Sequence, residues 1–131
     1  MWLTFYGCRS PLSFLHMISF ILLPLSLLYS HSLVHGDLWS GNSAYCQDGS
    51  PCIYDPAVYY GDREVDIAMT RLFGGHSREF YASYDEQWAL PEGWEQRQTI
   101  YNAYHILNHF VLFGGGYLQQ GKSMLNKVLS F

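Results

Sequence analysis

One stretch of this chain dictates how the rest can be arranged: His35-Gly36-Asp37-Leu38-Trp39-Ser40-Gly41-Asn42, followed by Ile53-Tyr54-Asp55-Pro56. A tight polar loop is entered from a short strand candidate at 33–34. It is left through two more strand candidates, 43–46 and 52–54, joined by Asp48-Gly49, a strong hairpin signal. Beyond Gly61 the period becomes helical. Val65, Ala68, Met69 and Leu72 recur at three- and four-residue steps, and Gly74-Gly75 stops that helix. A second helix is predicted over 78–88, ending before Pro91. A third over 94–113 carries the stripe Trp94, Arg97, Tyr101, Tyr104, Leu107 and Val111 and closes at Gly114-Gly115-Gly116. A last helix is expected over 122–129. The expected class is therefore α+β, one β-hairpin followed by three to four helices, within a length of 131 residues that suits one domain.

Residues 12–29 contain no charged residue and approach the length of a bilayer span or the apolar region of a signal peptide. Pro24, His16, weak basic flanks and the lack of a small-residue cleavage site argue against both, leaving a buried core helix or sequence foreign to the rest as further readings. A formal charge of −4 excludes a nucleic-acid binder relying on a basic face. An acidic chain can still serve a nucleotide when a metal ion supplies the positive charge. The cysteines Cys8, Cys46 and Cys52 make an odd count without zinc spacing. Cys46 and Cys52 flank the Asp48-Gly49 turn, which leaves a cross-hairpin disulfide or two reduced thiols, the latter favoured in a cytosolic chain.

The loop carries the residues that phosphoryl transfer from ATP requires. An Asp on a tight loop accepts the proton of an attacking hydroxyl. An Asn five residues later and a second Asp at the end of a hairpin strand offer oxygen ligands of the kind magnesium takes alongside phosphate. Asp37, Asn42 and Asp55 occur in that order. The protein-kinase pattern H-R-D-L-x-x-x-N followed by D-F-G has the same Asp-to-Asn spacing. Here Gly36 stands in place of the Arg and Pro56 follows the second Asp, so the loop resembles the aminoglycoside-kinase-like group instead. Within it, HGDLWSGN with Trp39 and Ser40 resembles the fructosamine (ketosamine) 3-kinase family. The resemblance continues through Tyr54-Asp55-Pro56-Ala57, Tyr60-Gly61, Leu72-Phe73-Gly74-Gly75, Tyr104-His105-Ile106-Leu107-Asn108-His109 and Phe113-Gly114, and covers roughly residues 33–125.

That resemblance implies the C-terminal lobe of a protein-kinase-like fold. It implies ATP and Mg2+ as cofactors, and transfer of the γ-phosphoryl group to the 3-hydroxyl of ketosamines, either small molecules or glycated protein lysines, in protein deglycation in the cytoplasm. Asp37 would be the catalytic base, and Asn42 and Asp55 the metal ligands. His35 and Gly36 would support the loop. Trp39 would contact the substrate or pack under the loop, and Asp66 would brace the loop or stand as a solvated helix acid. Residues 1–32, with no lysine and no acidic residue, do not resemble the family. The expectation is an apolar leader over 1–32 and a kinase C-lobe fragment over 33–131, with the N-terminal lobe missing. Low activity in isolation and self-association through uncovered apolar faces would follow. The alternatives are a non-catalytic ketosamine-binding fragment and a membrane-anchored remnant.

Two further patterns invite a functional reading. His105 and His109 stand one helical turn apart, a candidate metal pair, although an aromatic helix face explains them better. Residues 116–123 fit the G-x-x-x-x-G-K-S phosphate-loop expression. That motif needs a preceding strand and a parallel sheet, and here a helix is expected before it.

Overall fold

The computed structural model describes residues 31–131. The apolar run at 12–29, Cys8 and nearly all of the predicted leader lie outside the described residues. Four strands come first: β1 (His31–Val34), β2 (Ser43–Tyr45), β3 (Pro51–Ile53) and β4 (Tyr59–Asp62). Four helices follow: α1 (Glu64–Leu72), α2 (Arg78–Gln87), α3 (Trp94–Phe113) and α4 (Tyr117–Val128). The expected hairpin is β2–β3, antiparallel with Ser43 opposite Ile53, Ala44 opposite Cys52 and Tyr45 opposite Pro51. A second ladder, β1 against β4, was not foreseen. β4 reads YYGD, with only one turn of alternation and a glycine inside it, so its strand character comes from pairing with β1 rather than from its own pattern.

The core lies between α1 and α3, which bury Val65, Ile67, Ala68 and Met69 on one helix and Tyr101, Ala103, Ile106 and Leu107 on the other. Of the stripe predicted for α3, Arg97, Tyr101 and Leu107 are buried while Trp94, Tyr104 and Val111 are half-buried, and the buried face also carries the polar Thr99, Asn102 and His105. Arg97 sits in it and makes a bidentate pair with Glu64 of α1, Nε to Oε2 at 2.8 Å and Nη2 to Oε1 at 2.8 Å, where Glu64 is 1% exposed. Beside them Asp62, at the end of β4, accepts from the Glu64 N–H at 3.0 Å and from the Tyr101 hydroxyl at 2.7 Å. Burial and that bond raise the Tyr101 pKa. The turn from strand into helix is thus held by buried, fully bonded carboxylates, the condition under which buried charge is tolerated.

α4 begins at Tyr117 rather than at 122, because Gly116 does not break it. The phosphate-loop look-alike at 116–123 consequently lies on a helix. Its Gly121 is buried where a Cβ would meet Leu107 Cδ2 at 2.7 Å, so the glycine permits close approach of α4 to α3. α2 buries none of its residues. It is tethered by Arg63, whose guanidinium donates to the Tyr84 hydroxyl at 2.7 Å and to the Trp88 carbonyl at 2.9 Å while lying over the Trp88 ring at 4.0 Å.

Candidate active site

The loop between β1 and β2 is built by its polar groups. Gly36 adopts φ 80°, and a Cβ there would lie 2.3 Å from the Ala57 carbonyl oxygen, so only glycine fits both the turn and the approach of the neighbouring chain. Asp66, on the first turn of α1, accepts from two successive N–H groups of the loop: His35 at 2.7 Å through Oδ2 and Gly36 at 2.9 Å through Oδ1. The His35 ring is bonded on both nitrogens. Nδ1 accepts from the Asp37 N–H at 3.3 Å, which leaves Nε2–H to donate to the Tyr54 carbonyl at 3.0 Å. The His35 carbonyl in turn accepts from Ala57 N–H at 2.8 Å. The loop is therefore stitched to the segment that follows the hairpin and to α1.

Asp37 and Asn42 face each other across a short 3-10 turn at Ser40–Asn42. Asn42 is 6% exposed, and its Nδ2 donates to the Asp37 carbonyl at 2.8 Å and to Asp37 Oδ2 at 3.1 Å. Both amide hydrogens are thereby directed at Asp37, which orients Oδ1 away from it. The Asn42 carbonyl also accepts from Tyr54 N–H at 3.1 Å, extending the hairpin ladder to the base of the loop. One residue beyond, Asp55 is exposed and is the one non-glycine among the described residues with positive φ, 55°. Aspartate tolerates that region better than most residues, and the turn lifts its carboxylate out of the strand direction.

The electrostatics tie these groups together. Partial burial pushes the Asp37 pKa up. The Asn42 hydrogen bond and the nearby His35 and His109 act the other way, and the Asp55 charge adds to the rise. Two carboxylates that feel each other, with an amide oxygen alongside, are a donor set of hard oxygens suited to magnesium. No group of three or more His, Cys, Asp or Glu with metal-holding geometry occurs among the described residues. A cation here would depend on Asn42, on water and on the phosphates of a nucleotide in addition to the two Asp.

Trp39 folds back on the loop. Its ring occupies the space over Gly41, where a Cβ would come within 2.2 Å of it, and meets Phe73 edge-on with centroids 6.2 Å apart. It remains 38% exposed, so one part of the ring packs on the loop and another faces outward. Ser40 Oγ donates to the Phe73 carbonyl at 3.2 Å, and Tyr54 Oη donates to the Gly41 carbonyl at 2.7 Å.

Sequence reasoning missed His109 at this site. His109 Nδ1 donates to the His105 carbonyl at 2.8 Å, the ring lies among Phe73, Phe113 and Tyr117 with centroids 5.1–5.6 Å apart, and its charge acts on Asp37. His105 is buried instead, with its pKa lowered to about 4, chiefly by desolvation. The two histidines thus serve an aromatic helix face. Phe73 links His109 to Trp39 through its ring, a contact that no local pattern in the sequence signals.

The site is thus a strand-delivered loop with an Asp–Asn pair, a carboxylate just past a hairpin and a helix acid bonded to the loop. Comparison with known proteins identifies the family. A model of the fructosamine kinase family matches residues 26–131, and the chain belongs to that family. It is 58% identical over 98 residues to a protein of Synechocystis named as a probable ketoamine kinase, covering 75% of this chain and 33% of that protein. It is 57% identical over 100 residues to a Vibrio vulnificus protein of the same description, covering 76% and 34%. A chloroplastic protein-ribulosamine 3-kinase of Oryza sativa is 46% identical over 99 residues, covering 74% and 28%. Among crystal structures, a protein from Haemophilus somnus named as a fructosamine-3-kinase superposes with TM-score 0.69 at 34% identity, covering 76% of this chain and 34% of that one. One from Thermobifida fusca superposes with TM-score 0.74 at 28% identity, covering 95% and 44%. The chain spans about a third of the length of the curated relatives it matches.

Proposed function

We propose that this chain supplies the catalytic and cation-binding part of an enzyme that transfers the γ-phosphoryl group of ATP to the 3-hydroxyl of ketosamines, free or on glycated protein lysines. The single observation that carries this reading is the Asp37–Asn42 pair, held on a loop braced by Asp66 and within electrostatic reach of Asp55. In this reading Asp37 accepts the proton of the attacking hydroxyl. Asn42, through Oδ1, and Asp55 hold Mg2+, which when bound neutralises phosphate charge. His35, Gly36 and Asp66 keep the loop in place. Trp39, through its outward part, meets the sugar or its amine substituent.

The test joins residues 33–131 to the preceding part of the Synechocystis relative and follows phosphorylation of a fructosyl-lysine by phosphorus NMR. The expected product is the 3-phosphate, and Asp37→Asn should lower turnover by about a hundredfold or more with ATP binding nearly unchanged. Asp55→Ala should instead weaken magnesium-dependent ATP binding. Near-normal turnover in Asp37→Asn would overturn the assignment of the base.

A further inference from the structure

The hairpin tip holds a pair of thiols that the proposed reaction does not use. Cys46 is exposed and Cys52 partly so, and both are free. Cys52 sits opposite Ala44, while the Cys46 N–H donates to the Ser50 carbonyl at 2.8 Å. Continuing that register puts Cys46 and Cys52 on one face of the ladder as diagonal neighbours, the arrangement in which side chains two positions apart across a hairpin meet. The neighbouring Cys46 thiol raises the Cys52 pKa, and Cys46, the more exposed of the two, is the better placed first nucleophile. A diagonal pair must draw slightly closer before it can be bridged. The tip is free of packing, since every residue from 44 to 51 is exposed and Gly49, at φ 83°, has open space around it, although Asp48 accepts from the Ser50 N–H and hydroxyl at 2.9 and 2.6 Å.

We propose that Cys46 and Cys52 form a dithiol redox site, converted to an intramolecular disulfide by a small-molecule disulfide such as oxidised glutathione. The Cys46 thiolate attacks one sulfur of the oxidant, forming a mixed disulfide and releasing one glutathione as thiolate. Cys52 then loses its proton and attacks Cys46 Sγ, forming the Cys46–Cys52 bond and expelling the second glutathione. Two protein thiols are oxidised and one glutathione disulfide is reduced to two thiols, so the exchange balances without any other reagent. The bond would close the tip of the hairpin whose base carries Asn42 and leads to Asp55. The site stands independently of the kinase reading, since it rests on thiol chemistry and strand register alone.

The experiment incubates the purified 131-residue chain in equal concentrations of reduced and oxidised glutathione, blocks remaining thiols, and reads intact mass and a peptide map. The expected result is a chain carrying one blocking group or one glutathione, at Cys8, and otherwise lighter by two hydrogens, with residues 46 and 52 linked in one peptide. Cys52→Ser should trap a stable glutathione adduct on Cys46. Stable glutathione adducts on both cysteines of the unaltered chain, or a dominant bond from either one to Cys8, would overturn the proposal.

Discussion

The helical half and the loop-and-hairpin half of residues 31–131 are held together by different means. Across α1 and α3, Val65, Ile67, Ala68, Met69, Ile106 and Leu107 are buried, and two charged groups among them, Glu64 and Arg97, are paired with each other. Along β2 and β3 no residue is buried, and Tyr45 is 81% exposed. The loop between β1 and β2 nevertheless has a defined shape. Its order comes from hydrogen bonds that Asp66, His35, Asn42 and Tyr54 make to backbone groups, and Asp66 is lent to it by the helical half. The contrast teaches that the core sets stability while the site is positioned by a few directional bonds. Substitutions in the two halves should therefore move different observables.

The largest effect should fall on the core. Glu64→Ala removes the carboxylate partner of a buried guanidinium and should destabilise the fold by about 4 kcal/mol in a urea titration, with Asn42 and Asp55 untouched. A cost no larger than that of an exposed ion pair would mean that the pair is not the joint between α1 and α3.

Next comes a pH effect on the same half. The lowered pKa of His105 keeps it neutral in the fold while the unfolded chain takes up a proton. Its contribution to stability is thus present above about pH 6.5 and is lost as pH falls towards about 4, amounting to about 3 kcal/mol over that window. Denaturation midpoints measured across this range for the chain and for His105→Phe should diverge in slope, the variant losing less stability on acidification.

Asp66→Ala sits on the border between the halves. It leaves the N–H groups of His35 and Gly36 without an acceptor and should cost about 2 kcal/mol, but it should also lower turnover in the joined enzyme described above. Equal losses of turnover and stability in Asp66→Asn, which retains one acceptor oxygen, would dissolve the distinction between positioning and folding.

The smallest effect has the opposite sign. Burial raises the Asp37 pKa above its ordinary value, so the protonated form is favoured by the fold. That stabilisation is complete at pH values below the ordinary carboxylate range and disappears as pH rises through the raised value. At neutral pH the charge is therefore a mild burden. Asp37→Asn should make the fold more stable by under about 1 kcal/mol at pH 7, after screening by solvent, and by nothing at low pH, while abolishing most turnover. Destabilisation at pH 7 would show that Asp37 holds the loop together rather than acting on a hydroxyl.

Much of this arrangement was legible beforehand because it is local. The 3.6-residue stripe of α3 and the glycines that close it give its bounds as 94–113, and Asp48-Gly49 marks the β2–β3 turn. The Asp37, Asn42 and Asp55 spacing was legible too, since loop and hairpin bring residues close in sequence to one place. β4 was not, because a strand that reads YYGD is defined by its partner β1. The Arg97–Glu64 pair was not, although an arginine on an otherwise apolar stripe is the signal that could have found it. His109 was not placed at the site, because its nearness to Asp37 depends on how α3 packs across α1.

The sequence by itself determined the first three helices and the existence of the fourth, the hairpin, the order of the loop residues and the resemblance that the family match bears out, since each rests on periodicity, turn chemistry or a short motif. Only the tertiary structure decided that Asp66 holds the loop, that Gly121 belongs to helix packing, that Cys46 and Cys52 share a face, and that His109 lies near Asp37. Those facts depend on contacts between residues far apart in the chain or on the register of paired strands, which no local pattern encodes.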